Sequence, residues 1–348
     1  MRVTLASVLS ELRVRKGFNT TLHLVAQLSD CSRAPMLARR ACPCLKIRAR
    51  GYASTTGPQH VQVLPDASLE TFRKHAFEPA IPALLPRGTY KDLPAISNWF
   101  IQGSPTQLNA SHFVPFGATL VPLEITHNDQ FTRIQHSLSF FLECVNASTS
   151  TYLLSHNNNK NNSYFTDNTR TKRTQSNTFF SASAPTARVY LAQAPLSDLP
   201  QKLRDDVPTP DLVLKAGKGD VYDTSIWLGQ APTYTPLHRD PNPNLFVQLA
   251  GRKVVRLMRP RTGDAIFACV QERIGGRGNA AVRGEEMMGG EEKRVLEEEV
   301  WGEEREGKEA MWEAEVGGGD GLFIPKGWWH SIKGVGEGMT GSVNWWFR

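Results

Sequence analysis

The sequence predicts a mainly β fold, a double-sheet barrel with flanking helices. Two observations carry this expectation. Short apolar, β-branched and aromatic stretches recur from Ala118 to the C-terminus, bounded by Gly, Pro or Asn turn signals. No strand–helix–strand alternation runs through them, which argues against a parallel, doubly wound sheet. Of 348 residues 40% are hydrophobic, enough for a sizeable core, and no window of about eighteen apolar residues suggests a membrane span.

The first 52 residues stand apart. They hold ten Lys/Arg against only Glu11 and Asp30, a net +8 in a chain totalling +6, so the remainder carries −2. The basic signal therefore belongs to the leader, and the charge of the body gives no indication of a nucleic-acid surface. Leu5, Val8, Leu9 and Leu12 recur at helical spacing among Arg2, Arg13, Arg15 and Lys16. Arg50-Gly51-Tyr52 ahead of Ala53-Ser54 has the form of a matrix processing site. The leader is expected to be a mitochondrial transit peptide, with a disordered basic tail as the alternative. The expected location is the mitochondrial matrix, or otherwise the cytoplasm or nucleus. Outside the leader only Cys144 and Cys269 remain, too few for a disulfide framework.

A single domain is expected over residues 53–348. Ser68, after Pro65-Asp66, is placed to cap a helix that begins with Leu69-Glu70-Thr71-Phe72, and Pro79, Pro82 and Pro86 then interrupt regular structure. Ile96–Phe100 reads as a short helix and Ala118–Ile125 as a strand. Ser137–Val145 reads as a helix, with Leu138, Phe141, Leu142 and Val145 on one face. Residues 156–178 are polar and asparagine-rich, an expected surface loop. Arg188–Gln193 and Asp220–Gly229 read as strands. Leu245–Gly251 and Lys253–Met258 read as a hairpin about a glycine turn. Glu and Gly dominate 272–318, an expected solvated insertion carrying a charged helix near Glu291–Ala314. The chain returns to strand at Gly321–Pro325 and ends in the aromatic-rich strand Gly341–Phe347.

Chemistry concentrates in Tyr234-Thr235-Pro236-Leu237-His238-Arg239-Asp240. His238 and Asp240 are two apart, so on an extended strand an imidazole and a carboxylate share one face. That is two thirds of the 2-His-1-carboxylate set that holds non-haem Fe(II). His330, closing Gly321-Leu322-Phe323-Ile324-Pro325-Lys326-Gly327-Trp328-Trp329-His330, offers the third ligand. A kinase catalytic loop is excluded, since Asn244 follows Asp240 by four residues rather than five and no phosphate-binding loop accompanies it. His127, His136 and His156 lack partner spacing, and Gly334–Gly338 reads as a plain turn.

From about Ile96 to the end, the chain resembles the JmjC-domain oxygenases of the small, cupin-like hydroxylase type. The resemblance rests on Thr235 three before His238, Asn244 six after it, Lys253 within Gly-Arg-Lys, Tyr190 opening Tyr-Leu-Ala-Gln, and Trp227 eleven before His238. It implies a double-stranded β-helix of the jelly-roll or cupin kind, with Fe(II), 2-oxoglutarate and O2 as cofactor and co-substrates. By the same resemblance His238, Asp240 and His330 hold the metal. Lys253 anchors the distal carboxylate of 2-oxoglutarate, Thr235 and Tyr190 donate hydroxyls to it, and Asn244 contacts the keto acid. Gln193, Trp227 and Trp329 are expected around the substrate pocket. The expected reaction is hydroxylation of a protein side chain, as by arginyl or lysyl hydroxylases, with release of succinate and CO2. Hydroxylation of a tRNA base, lysine demethylation and a non-catalytic cupin-like scaffold stay open as alternatives. The polar loop and the Glu/Gly-rich insertion depart from the family pattern.

Overall fold

A computed structural model describes residues 57–127, 130–147, 188–276, 288–302 and 310–348; the basic leader and the polar loop expected at 156–178 lie outside them. The first strands are β1 (Gln59–His60), β2 (Ala83–Leu84), β3 (Phe100–Ile101), β4 (Gln107–Leu108), β5 (Leu120–His127), β6 (Gln130–Ser137) and β7 (Arg188–Pro195). They are followed by β8 (Val221–Gln230), β9 (Thr233–Arg239), β10 (Asn244–Ala250), β11 (Arg252–Met258), β12 (Met311–Val316), β13 (Gly321–Ile324), β14 (Trp329–Val335) and β15 (Met339–Phe347). The helices used below are α1 (Leu69–Phe72), α2 (Pro94–Trp99), α3 (residues 138–147), α4 (Pro260–Ile274) and α5 (Gly290–Trp301).

Two large sheets form the body, a five-stranded one in the order β1-β12-β11-β14-β9 and an eight-stranded one in the order β2-β13-β10-β15-β8-β7-β5-β6. Within them β1 on β12 is parallel and the other ladders are antiparallel. The architecture is the mainly β jelly-roll expected from the sequence. The sheets meet face to face: Val255 and Leu257 of β11 and Ala314 and Val316 of β12 pack with Phe246 of β10 and Leu322 and Ile324 of β13. Each such side chain is almost fully buried, and burial of one is worth about 1.5–3 kcal/mol. Truncating Leu257 to Ala would therefore cost about 2–5 kcal/mol.

Helices flank the sheets. Ser68 caps α1, its hydroxyl accepting from the Thr71 N–H at 3.2 Å, as its position predicts. The helices expected at 96–100 and 137–145 are α2 and α3.

Two expectations are corrected. β10 and β11 are not a hairpin: β10 pairs with β13 and β15, while β11 pairs with β12 and β14. Gly251 alone joins them, at φ +67°, and a Cβ there would lie 2.6 Å from the Met339 carbonyl oxygen. One residue in the left-handed region turns the chain from one sheet into the other, where a hairpin would have kept both strands in one. Nor does the insertion run to 318. The charged helix ends at Trp301, and Met311–Val316 is β12, paired along the middle of a sheet. Its glutamates point outward and pair with the next strand, Glu313 with Arg256 at 2.8 Å and Glu315 with Arg252 at 2.9 Å. α5 itself lies on the sheet rather than in solvent. Val295, Leu296 and Val300 are buried, the Trp301 indole N–H donates to Ser331 Oγ at 2.9 Å, and the Arg256 guanidinium sits 4.5 Å from the centre of the Trp301 ring.

Candidate metal centre and cavity

β9 and β14 are neighbours, and their register places His238 directly opposite His330. Side chains opposite one another in an antiparallel ladder share a face. The imidazoles accordingly meet on the inner face of the five-stranded sheet, with ring centroids 4.2 Å apart. β9 ends at Arg239, and the carboxylate of Asp240 comes back to the same point. Its Oδ1 lies 4.0 Å from His238 Nε2 and its Oδ2 3.7 Å from His330 Nε2. One ligand atom from each residue falls within 4.8 Å of the others, the one such trio of His, Cys, Asp or Glu among the described residues.

Each group is oriented by a partner of its own. His238 Nδ1 lies 2.9 Å from the Pro236 carbonyl oxygen and His330 Nδ1 lies 3.1 Å from that of Trp328. A carbonyl only accepts, so the proton sits on Nδ1 and Nε2 turns a lone pair to the common point. Asp240 Oδ2 accepts from the Asn244 amide at 3.0 Å and from the Trp346 indole at 2.8 Å. Asn244 is held in turn by the Asn344 amide at 3.1 Å. Burial alone would raise the Asp240 carboxyl, but the positive charge that His330 and His238 carry when a second proton is bound, together with the Trp346 and Asn244 donors, outweighs it and holds it below the ordinary carboxylate range. Two imidazole nitrogens and one carboxylate oxygen, converging and individually braced, are a donor set that fits one divalent first-row ion.

The His-Asp-His point lies at one end of a cavity between the two sheets. The other end is cationic. Lys253 of β11 is 3% exposed; its ammonium donates to Ser342 Oγ at 2.7 Å, lies 3.5 Å from the Tyr190 hydroxyl and faces the Phe246 ring at 5.4 Å. Thr235 lines the wall between the two ends and Trp227 stands beside Tyr190, with ring centroids 6.0 Å apart. Gly229 is the cross-strand partner of Tyr190, and a Cβ there would lie 2.4 Å from the tyrosine ring, so the ring needs that glycine to lie where it does.

Eight of the ten sequence-derived positions thus come together around one cavity. Gln193 and Trp329 do not line it. Gln193 sits at the irregularity between Leu191 and Ala194 in the β7–β8 ladder with φ +53°, where the alternation that places Tyr190 inward is broken. Trp329 precedes His330 and so points to the opposite face. There it packs under α4, its indole donating to Asp264 at 3.1 Å and the Arg239 guanidinium lying 5.3 Å from the ring centre. Sequence reasoning missed Ser342, Asn344 and Trp346, which all line the cavity. Their signal was period two in the last strand, where they alternate with the buried Val343, Trp345 and Phe347.

Residues 69–348 match the family model of the cupin-like domain. This chain belongs to that family, as a JmjC-domain protein. It is 30% identical over 165 residues to Lysine-specific demethylase JMJ30 of Arabidopsis thaliana, which covers 47% of this chain and 35% of that protein. Over 80 residues it is 39% identical to Lysine-specific demethylase 8 of Danio rerio, 22% of this chain and 20% of the relative. Over 161 residues it is 27% identical to Jumonji C domain-containing protein 5 of Drosophila melanogaster, 46% and 36% of the two chains. The matches span about a third or less of these relatives' own lengths.

Proposed function

We propose that this protein is an Fe(II)- and 2-oxoglutarate-dependent oxygenase that hydroxylates a side chain of a protein substrate. The observation that carries the reading is the polarity of one cavity: a braced His-Asp-His set at one end and a buried lysine at the other. Bound there, Fe(II) with 2-oxoglutarate and O2 supplies an oxidation that converts C–H to C–OH with release of succinate and CO2.

The chain's own residues do the rest. His238, Asp240 and His330 hold the ion, and Trp346 and Asn244 keep Asp240 turned toward it. Lys253 meets the far carboxylate of 2-oxoglutarate, with the hydroxyls of Ser342, Tyr190 and Thr235 near it to complete the hydrogen bonds. A charge-assisted bond in such a dry site is roughly twice as strong as a neutral one. Phe246 and Ile332 supply apolar patches in an otherwise largely polar lining.

A second reading, lysine demethylation, is favoured by the names of the Arabidopsis and zebrafish relatives. The two part after the hydroxylation step: a hydroxylated N-methyl carbon leaves as formaldehyde, whereas a hydroxylated side-chain carbon stays. The test is mass spectrometry of proteins and methyl-lysine peptides incubated with the enzyme, Fe(II) and 2-oxoglutarate. A gain of one oxygen supports hydroxylation, and loss of a methyl group with formaldehyde supports demethylation. Absence of succinate release with every substrate class, together with no 2-oxoglutarate binding, returns the chain to a non-catalytic scaffold.

A further inference from the structure

The cross-strand ladders put one more charged side chain beside the metal end. Asn244 of β10 is opposite Trp346 of β15, and Trp346 is opposite Asp223 of β8. Asn244 and Trp346 are the two donors that hold Asp240. Side chains directly opposite one another have Cβ atoms about 4.5–5.5 Å apart on a common face. Asp223 is therefore the next side chain along the row that braces the metal ligand, one strand beyond Trp346. The alternation of β8 agrees, since Asp223, Ser225 and Trp227 share a face and Trp227 lines the cavity.

A carboxylate here needs a reason. Aspartate is depleted in strand interiors, because its side chain competes for backbone hydrogen bonds and packs poorly on a pleated sheet. Asp223 is half-buried. Its hydrogen bonds are local: Oδ1 accepts from the Thr224 N–H at 2.8 Å, and Oδ2 accepts from Ser225 Oγ at a long 3.4 Å. No cationic side chain pairs with it among the described residues. The carboxylate next along, Asp220, is by contrast paired with Arg348 at 3.8 Å. Charge along this face is thus polarised, with Lys253 at the far end of the cavity and, among the described residues, an anion without a partner cation one strand beyond Trp346, just outside the cavity's lining.

We infer that Asp223 is a specificity-determining residue that receives the ammonium or guanidinium of the substrate side chain, so that a carbon of that side chain is presented at the metal end of the cavity. The inference rests on the proposed oxygenase reading and adds to it the residue that reads the charge of the substrate side chain. Lys253 would repel a cationic side chain from the co-substrate end, while Asp223 attracts it at the other. The two charges then sort the two ligands into opposite ends of one cavity.

The test is ligand-observed NMR on the full chain with N-acetyl-arginine amide and N-acetyl-lysine amide, against N-acetyl-citrulline amide as the neutral isostere of arginine. Wild type is expected to bind the cationic amides about tenfold or more tighter than citrulline, the range of one hydrogen bond between charged groups. Asp223→Asn keeps the Oδ1 acceptor for Thr224 and removes only the charge. It is expected to erase the preference while citrulline binding is unchanged. Asp223→Glu, which retains the charge, should restore part of it. A wild type without cationic preference overturns the assignment, and so does an Asp223→Asn protein that keeps it. 2-Oxoglutarate binding, titrated separately on the same samples, reports on the oxygenase reading alone. Its failure would remove that reading without deciding the cation preference, and the cation preference can fail while 2-oxoglutarate still binds.

Discussion

His238 and His330 are opposite one another on adjacent strands although 92 positions separate them in the chain, and their rings lie 4.2 Å apart. The meeting of the two imidazoles is thus a property of the β9–β14 ladder. His330→Ala leaves the ladder's backbone bonds intact and removes one of three ligands. It is expected to abolish Co(II) or Mn(II) binding at concentrations that saturate wild type, seen by the visible spectrum of the cobalt form. The metal-free variant should still unfold cooperatively, at a somewhat lower temperature because a buried ring is removed. Wild type should gain about 2.7 kcal/mol of stability at metal concentrations a hundredfold above Kd, and the variant none.

Trp346→Phe tests the bracing of Asp240. The substitution keeps a ring in the wall but removes the N–H that reaches Oδ2 at 2.8 Å. Loss of such an outer partner typically weakens metal binding about 10–100-fold. Metal titration should show that weakening with the fold unchanged; an unaltered affinity would mean that Asn244 alone orients the carboxylate.

Lys253→Ala separates enzyme from scaffold. Leaving a charge unpaired in a buried pocket costs about 2–5 kcal/mol, which corresponds to very roughly 30- to several-thousand-fold weaker 2-oxoglutarate binding. Metal affinity should hardly change, because Lys253 is at the opposite end of the cavity from the three ligands. Lys253→Arg is expected to fall between, since a planar fork does not reproduce a compact ammonium beside Ser342. Calorimetry with equal affinities in wild type and Lys253→Ala would remove the lysine from its role.

Gly263→Ala asks which of two opposed effects is larger. In a helix interior, alanine is favoured over glycine by about 1 kcal/mol. Here, however, the new Cβ would lie 2.1 Å from Cγ of Trp329, which is itself buried beneath α4. Overpacking of that kind costs about 1–3 kcal/mol, and with the contact this close the variant is expected to be net destabilised in urea titration. A more stable variant would show that α4 moves off the sheet freely.

We propose that residues 1–52 direct import into mitochondria. A reporter fused to residues 1–60 is expected to enter the organelle, and the N-terminus of the protein purified from cells to lie near Ala53 or Ser54. Intact leader on cytosolic protein would refute this.

Much of the site was legible because strands write their faces into alternate residues. His238 and Asp240 stand two apart, and so do Ser342, Asn344 and Trp346, a signal that a single tryptophan-rich run concealed. What local pattern could not give was pairing. Leu245–Ala250, a glycine, then Lys253–Met258 has the form of a hairpin, yet β10 is buried at all seven positions. Burial on both faces belongs to a strand covered above and below, here by the five-stranded sheet and by elements such as α2. β12 was hidden by composition. In Met311-Trp312-Glu313-Ala314-Glu315-Val316 the glutamates looked like solvated insertion, whereas Met311, Ala314 and Val316 are buried and the two acids answer Arg256 and Arg252 across the ladder. Trp329 was expected at the pocket, yet it is the strand neighbour of the inward-facing His330, and neighbours along a strand take opposite faces.

Gly251 is the joint between the wall that carries Asn244 and the wall that carries Lys253. A one-residue joint works like the pivot of a pair of calipers. The gap between the jaws is set by a single backbone conformation, however long or short the surrounding loops become. Elements inserted between strands, such as α4 and α5 between β11 and β12, can therefore vary while the wall of Asn244 and the wall of Lys253 stay joined at the same point. The joining of the two walls and the elements inserted around them are, in this fold, set by different parts of the chain.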